Sequence, residues 1–222
     1  MDADAIRVLP DGCMDLMWCD GGVIIAGPDT RAHLFVRHAT MTGLRFAPGF
    51  GPRVIGAPAC EFTNSRVPLE AVWPASEVRR VVDRVGNSDE PGVALEDLAL
   101  RLSATTDERA DLIEHVVLRV RRGQQVAAIA NEVGLSNRQL HRRCLDAFGY
   151  GAKTLTRVLR MVHAIEIARA GIAFADTAAR AGYADQAHLS REVKELAGVS
   201  LGQLVSPEAD AANKSTELPS GS

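Results

Sequence analysis

The sequence lacks the features that mark several large classes of protein. No apolar run approaches the roughly 18 residues of a membrane-spanning helix, and the start, MDADAIRVLPDG, has no signal-peptide pattern. No P-loop, GxGxxG or GxSxG motif is present, which argues against the enzyme classes that depend on them. We therefore expect a cytoplasmic protein without enzymatic activity, catalytic residues, cofactor or membrane association.

Closely spaced cysteine pairs of the CxxC type are also absent. The four cysteines contain no CxxC motif and lie in apolar contexts, which is typical of reduced packing residues: Cys13, Cys19, Cys60 and Cys144. Four side chains of the first half can in principle ligate a metal, but their spacing fits none of the tight zinc patterns: Cys13, Cys19, His33 and His38. We predict no metal site.

Charge is unevenly distributed along the 222 residues, whose net charge is −3. Residues 1–117 carry 11 Lys and Arg against 18 Asp and Glu, whereas residues 118–205 carry 13 against 7. A basic segment that follows an acidic one indicates that only the second segment meets a polyanion.

The first 74 residues are rich in glycine and proline and show strand patterns. CMDLMW and GGVIIAG flank Asp20-Gly21-Gly22, which predicts a hairpin, and HLFVRH and MTGLRF predict two further strands around Ala39-Thr40. Four aromatic residues are expected to pack in a core rather than line a pocket: Trp18, Phe35, Phe46 and Trp73. Helical patterns follow over 75–117, with Ser76 as a candidate N-cap, and the polar residues 206–222 are expected to be disordered.

Residues 118–205 repeat one short pattern twice. In the first copy, Gly134 follows a short helix, and Ser136 with Gln139 forms a capping box that opens the next helix. In the second copy, Gly182 and Asp185 take the corresponding positions. A short helix, a tight turn and a second helix with an exposed basic face predict a helix-turn-helix in each copy.

The segment between the copies, KTLTRVLRMVHAIEIARAG, has no internal glycine or proline and keeps an apolar stripe. A helix of this length extends about 27 Å. That length is on the scale of the roughly 34 Å between successive major grooves on one face of DNA. The predicted fold is therefore an α+β N-terminal domain, with a short antiparallel sheet and helices, followed by an all-α domain with two helix-turn-helix motifs on a long connector helix.

Residues 119–205 resemble the double helix-turn-helix DNA-binding domain of the AraC/XylS family of bacterial transcription regulators. The matching stretches are IAxxVGLSxRxL (129–140), FG (148–149) and AxxxGYADxxHLSRxVKxLAGVSLGQL (178–204). The chain departs from the family at Gly151-Ala152, where Ser-Pro is frequent. It also has Cys144 and Val193 where Phe is common, Ala178 where Ile is usual, and His188 where a small polar residue is frequent.

The resemblance places residues of both second helices in the major groove, where Arg can read guanine and Gln can read adenine: Arg138, His141 and Arg142, then Gln186, His188 and Arg191. Phosphate contacts are predicted for Ser136, Asn137, Arg143, Lys153, Arg157 and Lys194. Glu192 and Glu195 are expected on or near the exposed side of the second recognition helix, where they would repel phosphate.

VLPDGCMDLMW, Gly27-Pro28 and GLRFAPG (43–49) resemble a poorly characterised N-terminal domain attached to many AraC-type proteins. Together with the sequence patterns, the two resemblances predict a β-rich sensory or regulatory region over 1–74, a helical linker region over 75–117, a DNA-binding domain over 118–205 and a disordered tail over 206–222. The predicted function is sequence-specific transcription regulation, modulated by an unidentified ligand or by dimerisation. Promoter or operator DNA is the expected partner, and RNA polymerase and a second copy of the chain are further candidates. The alternative is a DNA-alkylation-repair-like protein with a reactive cysteine in its N-terminal half.

Overall fold

The computed structural model describes residues 5–36, 41–103 and 108–206. The chain divides into two compact units, and each combines segments that are not contiguous in sequence. The sheet unit comprises Asp11–Thr30 and His38–Thr156, and the terminal unit comprises Met1–Pro10, Arg31–Arg37 and Arg157–Ser222. The predicted domain boundaries after residues 74, 117 and 205 stay predictions.

The sheet unit is built on a four-stranded antiparallel sheet. Its strands run in the order β5-β2-β3-β6, with β2 at Met14–Cys19, β3 at Gly22–Ala26, β5 at Met41–Phe46 and β6 at Arg66–Pro68. Strands β2 and β3 form the predicted hairpin, and its two loop residues, Asp20 and Gly21, both have positive φ, at 50° and 78°. Positive φ at both positions matches the right-handed twist of the strands, so the Asp-Gly signal explains this turn.

Alternating residues of the hairpin face a core that three helices cover. Met14 and Leu16 of β2 and Val23 and Ile25 of β3 are buried together with residues of α1 at Gly51–Ile55, α2 at Ala75–Gly86 and α3 at Pro91–Ser103. Phe46 is buried in this core, and Trp18 and Trp73 pack against it, which confirms the packing role predicted for these three aromatic residues. Phe35 lies on a different sheet.

One predicted helix start is wrong. Helix α2 begins at Ala75, and Pro74 occupies the N-cap position without a side-chain cap. Ser76 therefore lies inside the first turn, because the extended backbone of Pro74, with φ −58° and ψ 138°, sets the N-cap two residues earlier than predicted. Helix α4, at Glu108–Arg121, completes the predicted helical region.

The first helix-turn-helix belongs to the sheet unit. Its helices are α5 at Val126–Glu132 and α6 at Asn137–Phe148. The connector, α7 at Ala152–Arg169, is an unbroken helix that contributes residues to both units.

The terminal unit contains the second helix-turn-helix and two strands from the N-terminal part of the chain. Its helices are α8 at Phe174–Arg180, α9 at Gln186–Ala197 and α10 at Leu201–Leu204. Strands β1 at Ala5–Val8 and β4 at His33–Val36 pair antiparallel, and Leu9 packs against the helical core of this unit. We call β1 and β4 with their flanking residues Leu9, Arg31 and Ala32 the strand pair.

The predicted fold class is confirmed: sheet and helices come first and a helical region with two helix-turn-helix motifs follows. The stretches HLFV and MTGLRF are strands β4 and β5, but they belong to different sheets. Ala39, Thr40 and His38, and the predicted disorder beyond residue 206, lie outside the described residues. Within those residues, no helix combines the length and apolarity needed to cross a membrane.

Candidate nucleic-acid interface

Local signals fix the start of the first recognition helix, α6. Gly134 turns the chain with φ 67°. The backbone N–H of Gln139 then donates to Ser136 Oγ at 3.3 Å, while the N–H of Ser136 donates to Gln139 Oε1 at 2.9 Å. This reciprocal bonding satisfies two backbone donors that the first turn leaves free. The predicted capping box is therefore confirmed.

Helix α6 buries one face and exposes the other. Leu140, Cys144 and Phe148 are fully buried, so cysteine at position 144 is accommodated in the core. The side chains predicted to meet DNA are exposed except for Arg143, which is half-buried: Ser136, Asn137, Arg138, His141, Arg142 and Arg143. The structure therefore brings the whole first set together on one helix and its cap.

His141 packs against the turn that follows α6. A Cβ atom added to Gly151 would lie 2.5 Å from His141 Nδ1, so the imidazole lies directly against the Gly151 backbone. A side chain at position 151 would displace the ring, which gives a physical reason for glycine where serine is frequent in the resembled family.

The second recognition helix, α9, has a simpler cap. The N–H of His188 donates to Asp185 Oδ1 at 2.6 Å, which confirms Asp185 as the predicted N-cap. Leu189, Val193 and Leu196 are buried. The second predicted set lies on the rest of the helix, with His188 half-buried and the others exposed: Gln186, His188, Arg191 and Lys194.

The imidazole of His188 is fixed by the turn before α9. Its ring meets the Tyr183 ring edge-on, with centroids 5.2 Å apart and planes at 85°. Its Nδ1 accepts a long bond of 3.4 Å from the N–H of Ala184. His188 is therefore positioned by neighbouring residues rather than free in solvent.

The connector carries two arginines that contact α9. Arg157 Nε lies 3.1 Å from Glu192 Oε2, and Arg157 Nη2 lies 2.7 Å from Glu195 Oε2. Arg160 Nη2 lies 2.6 Å from Glu192 Oε1. The expectation that Glu192 lies on the exposed side is wrong, because this residue is only 7% exposed and paired with both guanidinium groups. Lys153, also on the connector, is exposed.

These ion pairs shift acid–base equilibria in the terminal unit. The hydrogen bond from Arg157 and its positive charge hold the pKa of Glu195 below its usual value. Burial, followed by the charge of Glu192, raises the pKa of the Tyr183 phenol. The phosphate role predicted for Arg157 stays a prediction, but its guanidinium is already engaged by two carboxylates.

Comparison with known families gives two matches. A helix-turn-helix domain profile matches residues 129–206, and the profile of a domain of unknown function (DUF6597) matches residues 2–68. Residues 129–206 form an AraC-type helix-turn-helix domain. The two matches confirm the resemblance predicted for both parts of the chain.

The chain is also similar to solved structures of ToxT from Vibrio cholerae. One has 13% identity and a TM-score of 0.46, and the alignment covers 91% of this chain and 89% of ToxT. ToxT bound to (E)-4-(8-methylnaphthalen-1-yl)but-3-enoic acid has 12% identity and a TM-score of 0.47, covering 91% and 97%. Unsaturated fatty acid-bound ToxT has 11% identity and a TM-score of 0.45, covering 91% and 93%. No curated protein matches the chain significantly.

Both recognition helices of the AraC-type domain end against residues from the first 68 positions. In the sheet unit, α6 packs on the 3₁₀ helix Ala59–Phe62, and Thr63 Oγ1 donates to the carbonyl of Gly149 at 3.0 Å. In the terminal unit, Arg7 Nη1 donates to the carbonyl of Ala197 at 3.1 Å, and the N–H of Ala32 donates to the carbonyl of Leu196 at 2.7 Å. Carbonyls at a helix C-terminus have no hydrogen-bond donor within the helix. The three donors named above therefore satisfy carbonyls at the ends of α6 and α9.

Two of the three N-terminal cysteines lie in surroundings that disfavour the thiolate, which is the nucleophilic form of cysteine. Burial raises the pKa of Cys13, which also lies near the Asp11 carboxylate, and burial raises the pKa of Cys19. Cys60 is exposed. Within the described part of the chain, no three His, Cys, Asp or Glu side chains are grouped to hold a metal ion.

A surface hollow runs along α4 of the sheet unit and is lined by one helix: Asp111, Glu114, His115, Val117, Leu118 and Arg121. No residue of the four-stranded sheet lines this hollow, so it does not form a cavity inside the N-terminal sheet.

Sequence reasoning missed several residues that organise the interface. Arg160 pairs with Glu192 and packs on the ring of Tyr183, and Tyr183 in turn contacts His188. Arg7 contacts the end of α9. The burial of Glu192 had a readable signal, since it lies three residues after Leu189 and four before Leu196 on the inward face. The partner of Arg7 is 190 residues away in sequence, and no local pattern indicates it.

Proposed function

We propose that the chain is a sequence-specific DNA-binding transcription regulator of the bacterial cytoplasm. The observation that carries the proposal is the repetition of one arrangement: α6 and α9 are each capped at the start, buried along one face and basic on the exposed face. Each recognition helix would enter a major groove, with α7 between the two motifs.

The proposed base-reading residues are the exposed or half-buried side chains of the two helices: Arg138, His141, Arg142, Gln186, His188 and Arg191. Arg can pair with guanine O6 and N7, and Gln can pair with adenine. Ser136, Asn137, Arg143, Lys153 and Lys194 are proposed to contact phosphate, and Arg157 is retained as a weaker candidate because of its ion pairs with Glu192 and Glu195.

The N-terminal region is proposed to modulate DNA binding through the ends of the recognition helices. Thr63 supports the end of α6, and Arg7 and Ala32 support the end of α9. A ligand or a second copy of the chain that shifts these N-terminal segments would break their hydrogen bonds to the end of α6 or α9. The helix could then move, and its affinity for DNA would change. Fatty acid and naphthalenyl-butenoic acid complexes of ToxT make small carboxylic acids the first ligands to test.

The test is selection of duplexes from a random pool by the full-length protein, followed by titration at several salt concentrations. We expect a defined sequence to be enriched and its affinity to fall with salt at a log–log slope of about −0.9 per phosphate neutralised. Absence of any enriched sequence would overturn the proposal. Transfer of a methyl group from alkylated DNA to Cys60 would favour the repair alternative instead.

A further inference from the structure

Glu192 is an unusual residue for a DNA-recognition helix because it is acidic and buried. Its side chain lies on the face of α9 that also carries Leu189, Val193 and Leu196, and only 7% of the residue is exposed. A buried carboxylate is costly unless it is paired and hydrogen-bonded. Its two oxygens must therefore find partners, and the position of those partners constrains the helix.

Both partners come from the connector helix α7. Arg157 Nε bonds Glu192 Oε2 at 3.1 Å, while Arg160 bonds Oε1 through Nε at 3.1 Å and through Nη2 at 2.6 Å. Charge-assisted bonds of this kind are directional as well as strong. Because each oxygen is bonded by a different arginine, sliding or rotation of α9 on α7 would break or strain at least one of these three bonds.

The same network continues from Arg160 to the proposed reading residue His188. The guanidinium carbon of Arg160 lies 4.3 Å from the centre of the Tyr183 ring, and that ring meets the His188 imidazole edge-on. Tyr183 is buried, so its ring has little room to turn. A contiguous set of contacts therefore runs from Glu192 on α9 to Arg160 on α7, then to Tyr183 and finally to His188.

We infer that Glu192 is a positioning residue that sets the base preference of α9. It fixes the rotation of α9 on α7, and through Arg160 and Tyr183 it fixes the imidazole of His188. It also keeps the guanidinium group of Arg160 engaged, so that this charge does not contact phosphate without regard to sequence. The inference rests on the proposed function, because it concerns how one recognition helix reads DNA.

The test compares Glu192→Gln with Glu195→Gln in the full-length protein. Glu195 also pairs with Arg157, but it is exposed on the same helix and contacts neither Arg160 nor Tyr183. The probes are the duplex selected by the wild-type protein and duplexes altered at single base pairs. The base pairs read by α9 are those at which Arg191→Ala loses discrimination, and those read by α6 are found in the same way with Arg142→Ala.

We expect Glu192→Gln to lower discrimination at the α9 base pairs about tenfold, as for one misplaced base contact. Discrimination at the α6 base pairs should be unchanged, and Glu195→Gln should behave as wild type at both. A role in stability alone would lower the melting temperature and leave both ratios intact, and that result would overturn the inference.

A second variant covers the case in which Glu192→Gln does not fold. Tyr183→Leu keeps an apolar side chain in the core but removes the ring between Arg160 and His188, and it should show the same loss at the α9 base pairs. Full discrimination in Tyr183→Leu would contradict the inference. If the wild-type protein enriches no sequence at all, the proposed function fails first, so the two failures are distinguishable.

Discussion

The guanidinium of Arg142 lies on the exposed face of α6, beside the side that Leu140 and Cys144 bury. Replacing Arg142 with alanine should leave the helix intact, because the position is exposed and alanine has the highest helix propensity. A base-edge contact worth about 1–3 kcal/mol of discrimination should be lost. The measurement is the affinity for the selected duplex relative to a scrambled duplex at fixed salt, with a thermal melt to check folding.

Arg80→Ala is the matched control for Arg142→Ala. Arg80 is an exposed arginine on α2, within the acidic part of the chain and outside both recognition helices. Its replacement should change neither the affinity for the selected duplex nor the affinity for the scrambled duplex. Equal weakening of both duplexes by Arg142→Ala would identify Arg142 as a phosphate contact rather than a reading residue.

Cysteine reactivity provides a second prediction for single residues. Cys60 is exposed, whereas Cys144 is fully buried and burial raises its pKa to about 12. Near pH 8, a maleimide should label Cys60 quickly and Cys144 only after unfolding, since the thiolate is the reactive species. Peptide mass spectrometry of the labelled protein gives the measurement, and Cys60→Ser should remove the fast phase. Rapid labelling of Cys144 in the folded protein would show that α6 is not packed as described.

The raised pKa of Cys144 also fixes the sign of a pH effect on stability. The neutral thiol is favoured in the folded state, so its contribution is fully present below the unfolded pKa of about 8.5. The free energy of unfolding should fall as the pH rises above that value towards 12. In Cys144→Ala this part of the alkaline loss should disappear, which urea titrations at pH 7.5 and 9.5 can measure.

At the level of whole elements, the two turns of the first helix-turn-helix make different demands on glycine. Gly134 has φ 67°, and an added Cβ would meet nothing within 4 Å. Gly149 has φ 76°, and an added Cβ would lie 2.5 Å from Thr63 Oγ1 and 2.6 Å from Pro28 Cγ. The turn before α6 therefore requires only a left-handed backbone, whereas the turn after α6 also requires the absence of a side chain.

Alanine at the two positions should separate these effects. Gly134→Ala should cost about 1–2 kcal/mol of unfolding free energy from backbone strain alone. Gly149→Ala should cost a further 1–3 kcal/mol or so, because the neighbouring residues must move. Denaturant titrations of both variants measure the difference. Equal costs would show that Gly149 does not pack tightly against Thr63 and Pro28.

The elements that could be predicted are those whose cause is local in sequence. The Asp20-Gly21 turn, the Ser136 capping box and the Asp185 cap each depend on residues within a few positions, so the sequence indicates them directly. The prediction of Ser76 as an N-cap failed because the N-cap is Pro74, two residues earlier, a local effect that the capping pattern ignored. Glu192 was misplaced because its partners lie on another helix, more than 30 positions away.

Connections between distant segments decide how the whole molecule is organised. Strands β4 and β5 follow one another in the chain, yet β4 pairs with β1 and β5 pairs with β2. The strand pattern predicts that both exist, but strand pairing depends on packing against other parts of the chain. For the same reason, the contact between the strand pair and the end of α9 carries no sequence signal, although it connects the N-terminal region directly to the second helix of a helix-turn-helix.

Arg7 is the residue of the strand pair through which that contact can be tested. Its guanidinium donates to the Ala197 carbonyl at a helix end that carries partial negative charge, so Arg7→Ala should cost about 1–2 kcal/mol of unfolding free energy. Arg31→Ala is the control, because Arg31 is 72% exposed and lies 4.0 Å from Glu195. A loose exposed pair of this kind contributes at most about 1 kcal/mol.

Hydrogen exchange should be faster near the C-terminus of α9 in Arg7→Ala only. Affinity for the selected duplex should also fall in that variant only, because α9 loses a hydrogen bond at one end. Faster exchange with unchanged affinity would limit the strand pair to a structural role and remove it as a route for regulation.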